Sequence, residues 1–136
     1  MSKSHGLWLT VIAIVLVGCT NAAAAQPSGS AERGRAFFAQ SSVRNTAGCV
    51  TCHSLEQGKV VVGPSLAGVA TRAAATVGSS GYQGTAKTAE AFLRESITRP
   101  NAAVATGFSH NIMPDWLTVL DRQQIEDLVA FLMTQR

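Results

Sequence analysis

The chain has 136 residues, 46% of them hydrophobic and 14% charged, with a formal net charge of +3. That length accommodates one domain and not two compact ones. Its 11 Lys and Arg residues are scattered rather than clustered, which excludes a nucleic-acid surface of the usual kind, and no internal repeat appears.

Lys3 precedes an apolar stretch from Leu7 to Val17, which has the length of a signal-peptide core and falls short of a membrane span. The stretch ends in Leu16-Val17-Gly18-Cys19, similar to a bacterial lipobox. Residues 1–18 are therefore expected to be a lipoprotein-type leader, with Cys19 the acylated first residue of the mature chain. Cleavage after Ala23-Ala24-Ala25, or retention of residues 7–25 as a short anchor, are the rival readings. A lipidated Cys19 would hold the protein on a membrane through two or more acyl chains, where one chain would bind only reversibly. Residues 19–29 have linker composition, with Gln26, Pro27, Ser28 and Gly29 and no apolar periodicity. The expected location is the periplasm or the outer face of the cytoplasmic membrane.

Residues 30–136 read as a single domain. Ser30 can cap a first helix from Ala31 to about Gln40, on which Gly34 and Phe38 share a face. After the Ser41–Gly48 stretch comes Cys49-Val50-Thr51-Cys52-His53, a Cys-x-x-Cys-His run. The two thiols of such a run can add across the two haem vinyl groups, while the imidazole reaches the iron from the proximal side. A redox dithiol would expect βαβ alternation, which is missing; a zinc site would have only Cys49, Cys52, His53 and His110 to draw on; a plain disulfide leaves His53 unexplained. With Cys19 assigned to lipid, covalent haem c accounts for the remaining two of the three cysteines.

Val60-Val61-Val62 is the one possible strand nucleus, but Gly58 and Gly63-Pro64 close it off, and it reads as a loop packing against haem. Thr88 can cap a second helix with an apolar stripe of Ala89, Phe92, Leu93 and Ile97, ended by Arg99-Pro100. A last helix starts near Asp121, with Gln124 placed for a capping box, and buries Ile125, Leu128, Val129 and Leu132. The fold class is all-α, with three or more helices around one haem.

This order of features resembles the small monohaem c-type cytochromes: Gly34 and Phe38, Cys49 to His53, Gly63-Pro64-Ser65-Leu66, Met113-Pro114, then a terminal helix bearing Leu128 and Phe131. The resemblance implies that the first and last helices cross closely at Gly34, with Phe38 and Phe131 filling the contact. It implies that the Pro64 carbonyl fixes the outer face of His53 and that Leu66 touches the haem. Arg94-Glu95-Ser96-Ile97-Thr98-Arg99-Pro100-Asn101, with Gly107-Phe108 and Ile112-Met113-Pro114, looks like the cytochrome c domain fused to subunit II of some bacterial haem-copper oxidases of the caa3 type. The fused oxidase subunits carry a copper-binding domain ahead of the haem domain, and residues 1–29 do not resemble one.

A haem that only passes electrons needs both axial positions filled, and a thioether raises its potential. Of three methionines, Met1 leaves with the leader and Met133 sits at the end of the terminal helix, so Met113 is the expected sixth ligand. His110 is the competitor in the same loop, with a solvated loop residue as its plainer reading. Arg72, Tyr82 and Trp116 are candidate donors to the haem propionates.

The expected function is a membrane-tethered one-electron carrier in a respiratory or photosynthetic chain, not an enzyme. Its expected partners are membrane oxidase or quinol-oxidising complexes, or small redox proteins. A fixed haem subunit of such a complex is the alternative; a haem peroxidase or gas sensor would need an open distal site.

Overall fold

A computed structural model describes residues 28–136. The leader, Cys19 and most of the linker reading therefore lie outside the described residues. Five helices carry the fold: α1 Ala31–Phe38, α2 Cys49–Cys52, α3 Val69–Val77, α4 Ala89–Thr98 and α5 Arg122–Leu132. A 3-10 turn spans Trp116–Thr118, and a two-rung antiparallel hairpin pairs β1 Ser42–Val43 with β2 Thr46–Ala47. Among the described residues, no helix is long and apolar enough to cross a membrane.

The helix starts follow from side chains that satisfy orphan backbone donors. Ser30 accepts from the Arg33 N–H, Thr88 from the Ala91 N–H, and Asp121 and Gln124 form a reciprocal capping box at 2.8 and 3.0 Å. The expected end of the first helix moves from Gln40 back to Phe38, because the chain must turn into the hairpin. Two helices escape the sequence reading. The α2 segment is a single turn with no room for periodicity. In α3 the buried positions Val69, Ala70 and Ala73 are small and interleaved with polar residues, so the stripe has little contrast.

The core is built where α1 and α5 cross. A side chain at Gly34 would collide with the backbone carbonyl of Asp127, so glycine is what lets the two helices meet at this depth. Phe38, 2% exposed, packs on Phe131 with ring centroids 5.5 Å apart. Asp127 staples the same crossing: its carboxylate accepts the Ser30 N–H at 2.7 Å and two hydrogen bonds from the Arg33 guanidinium at 2.7 Å. Ser28 and Gly29, read as linker from sequence, rest on α5, with the Ser28 carbonyl accepting from Gln123 Nε2. On the other side, Arg94 of α4 forms a two-pronged ion pair with Glu126 of α5 at 2.6 and 2.7 Å. The helices thus form a frame around a central cavity.

Candidate functional site

The Ser41–Gly48 hairpin delivers the cysteine motif. Gly48 N–H donates to the Ser41 carbonyl at 2.9 Å, closing the hairpin base, and the chain turns at once into α2. One helical turn puts Cys49 and Cys52 on the same side, three residues apart. His53 ends the turn with an extended backbone, its N–H bonded to the Cys49 carbonyl at 2.9 Å. The loop that follows folds back on it: the Val62 and Gly63 N–H groups both donate to the Cys52 carbonyl, at 3.2 and 2.8 Å.

That return brings Pro64 to His53. The His53 Nδ1 lies 2.9 Å from the Pro64 carbonyl oxygen. A carbonyl can only accept, so the proton sits on Nδ1 and the Nε2 lone pair is left free. Gly63 lies flat against the imidazole, where a methyl group would overlap its Cε1. Leu66, two residues on from Pro64, is held by its N–H on the Ser54 carbonyl at 2.8 Å.

The cavity in front of these groups measures about 850 Å³, and Cys49, Cys52, His53, Leu66, Met113 and Trp116 all line it. Its size is that of a cofactor site, and its walls are mostly aliphatic and aromatic. Burial pushes the Cys49 thiol up to about 11. A redox dithiol needs the opposite, a depressed and partly exposed thiolate, so Cys49 is poorly suited to disulfide exchange. Both cysteines are unpaired, and among the described residues no group of three or more His, Cys, Asp or Glu side chains could hold a metal. The zinc and disulfide readings lack support. A planar, apolar macrocycle with two attachment points and one imidazole ligand fits the residues present.

Two of the three candidate propionate donors spend hydrogen bonds within the protein. Arg72 lines the cavity, but its guanidinium donates to the Ser65 carbonyl at 2.6 Å and to the Ala67 carbonyl, so it braces the Pro64–Leu66 loop. Tyr82 also lines the cavity, while its hydroxyl donates to Glu95 and accepts the Ala86 N–H at 3.1 Å. Trp116 is 3% exposed and forms part of the cavity wall. The Val60–Val62 loop does not pack inward: the three valines are 61%, 49% and 51% exposed, and of these Val62 alone reaches the cavity rim. The reason is the backbone reversal onto Cys52, which turns the preceding residues outward.

His110 lines the same cavity as Met113, so position alone does not separate them. Met113 is half-buried and packs on the core, whereas His110 is exposed.

Sequence reasoning missed the buried acids. Glu95 accepts from Tyr82, from the Thr85 backbone and hydroxyl, and from Arg99. Burial alone would raise its pKa, but the hydrogen bonds from Tyr82 and Thr85 outweigh that and lower it. Glu95 and Arg99 sit inside the very stretch that carried the oxidase likeness, which was the available signal.

The sequence model of one family, described as Cytochrome c, matches residues 31–136. No curated protein matches the chain.

Proposed function

The chain belongs to the cytochrome c family, and from that premise we propose that it is a membrane-tethered one-electron carrier with a single haem c held between His53 and Met113. The observation that carries the reading is convergence on one cavity of two cysteine sulfurs, an imidazole with its Nε2 left free by Pro64, and the Met113 thioether.

The bound group supplies an iron couple that changes by one electron. The protein does the rest. Cys49 and Cys52, on one helical turn, would fix the orientation of the ring by two bonds. Pro64 and Gly63 hold the His53 ring in a single tautomer and rotamer, which strengthens it as a donor. Met113, half-buried in the cavity wall, would offer its thioether as the second protein ligand, so that the iron could change charge without changing ligands. Leu66, Trp116 and Phe38, which line the cavity, would keep water from the ring and lower the cost of reorganisation around a changing charge.

Val62 and Ile112, exposed and lining the cavity, would give a partner an apolar surface at which electrons could enter and leave. The partners are proposed to be a membrane oxidase, a quinol-oxidising complex or a small redox protein, reached from an anchor at Cys19 on the outer face of the cytoplasmic membrane. The stretch Arg94–Asn101 supports kinship with oxidase-linked haem domains, so a place as a fixed subunit of such a complex is the second reading.

The test is a redox titration of the haem-loaded protein with carbon monoxide added to the reduced form. One reversible one-electron wave and no carbon monoxide complex are expected. Rapid binding of carbon monoxide would instead favour an open-site haem protein.

A further inference from the structure

The segment before Met113 is tied to α4 by two asparagines. At the end of α4, Arg99 is held by Glu95 and by the Thr85 hydroxyl at 2.9 Å, and the chain turns there with the Ala102 N–H on the Arg99 carbonyl at 2.8 Å. Asn101 therefore stands on an anchored base. Its Oδ1 accepts the Asn111 backbone N–H at 2.7 Å, and its Nδ2 donates to Asn111 Oδ1 at 3.0 Å. Asn111 has φ of +63°, a left-handed conformation that asparagine tolerates far better than most residues. Asn111 is followed by Ile112, which is exposed, and then by Met113, which turns inward onto the core.

The geometry points to the Asn101–Asn111 pair as a clasp that sets where Met113 stands in the cavity, making both asparagines positioning residues for the thioether. This rests on the reading of Met113 as the axial ligand. The intervening residues 102–110 contain Gly107 with φ of +90° and lie outside any helix or strand, so the loop itself supplies little stiffness. What fixes the entry of the chain into Met113 is the pair of hydrogen bonds to a residue braced by α4. An axial thioether exchanges between bound and free, and a loosened tether raises the free fraction in proportion.

The test uses the haem-loaded protein and two readouts, the sulfur-to-iron absorption band of the oxidised form and the rate of carbon monoxide binding to the reduced form. Asn101→Ala removes both bonds of the clasp. It is expected to weaken the band and to speed carbon monoxide binding about tenfold, which corresponds to about 1.4 kcal/mol. Asn101→Asp is expected to restore parental behaviour, because the carboxylate accepts the Asn111 N–H and, after an amide flip, the Asn111 Nδ2 as well. Asn111→Gly keeps the left-handed backbone and the N–H but loses the bond from Asn101 Nδ2, and is expected to fall between the parent and Asn101→Ala in both readouts. If Asn101→Ala gives no haem-loaded protein, Asn101→Gln is read in its place with the same expectation, since it moves the amide out of register by one methylene.

Parental band and rate in Asn101→Ala, alongside a band lost in Met113→Ala, overturn the clasp and leave the ligand reading standing. A band that survives Met113→Ala removes the ligand reading itself.

Discussion

The imidazole of His53 and the backbone carbonyl of Pro64 are joined by a 2.9 Å hydrogen bond that settles which ring nitrogen carries the proton. Everything at the front of the site depends on this pair. The carbonyl is itself placed by the return of the loop onto Cys52 and by Arg72, whose guanidinium grips the carbonyls of Ser65 and Ala67.

Gly63 tests how tightly that ring is held. A methyl at this position overlaps the His53 ring, and the ring cannot swing aside without breaking its bond to Pro64. Gly63→Ala is expected to tilt or release His53, seen as a lower yield of haem-loaded protein and a mixed-spin spectrum. A parental spectrum at parental yield would show that the ring has more freedom than the contact implies.

Gly34→Ala sets two effects against each other. Alanine gains about 1 kcal/mol of helix propensity over glycine, but the new methyl meets the Asp127 backbone carbonyl, which has no flexible side chain to move. Overpacking of this kind costs about 1–3 kcal/mol, and separation of α1 from α5 also loosens the Phe38–Phe131 contact. The overlap wins: the thermal midpoint is expected to fall by several degrees. Arg35→Ala, on the exposed side of α1, is the control.

Asp127 predicts an acid limit to stability. The hydrogen bonds from Arg33, aided by those from Ser30 and Gln123, hold its carboxyl down to about 2 in spite of burial. A depressed carboxylate stabilises the fold above its unfolded pKa, near 4, and that contribution disappears as pH falls through 2. Arg33 is 59% exposed, so solvent screening brings the effect to about 1 kcal/mol. Denaturant midpoints measured from pH 5 to pH 2 are expected to fall less in Asp127→Asn than in the parent. Parallel curves would contradict the assignment.

Tyr82→Phe separates bracing from haem contact. The ring would keep its edge packing on Phe92, 5.6 Å between centroids, while Glu95 loses one donor and the Ala86 N–H its acceptor. A buried polar group left unpaired costs about 1–3 kcal/mol, so unfolding is expected at lower denaturant with an unchanged reduction potential. A shifted potential with unchanged stability would return Tyr82 to the haem edge.

The parts of this protein that were legible in sequence are those where residue type alone restricts the chemistry. Cys49, Cys52 and His53 lie within five residues of chain, and Ser30, Thr88 and Asp121 announce their helices through side chains that bond three residues ahead. Pro64 and Leu66 were reached through family resemblance and Met113 by elimination among three methionines, because a backbone carbonyl or a lone thioether carries no local pattern. The α3 helix was hidden by its alanines, and Glu95, Asn101, Asn111 and Asp127 were hidden because their partners are set by tertiary return of the chain. Arg72 and Tyr82, read as candidate propionate donors, spend hydrogen bonds on backbone and carboxylate neighbours that the sequence does not announce.

The central claim is that Cys49 and Cys52 carry a porphyrin through thioether bonds. The most direct measurement is the intact mass of protein produced with a working haem-attachment system, taken after denaturation and organic extraction. The mass of the chain plus one haem, reduced to that of the bare chain by Cys49→Ser with Cys52→Ser, is the predicted result. A parent protein that loses its porphyrin on extraction, or never holds one, would contradict the account.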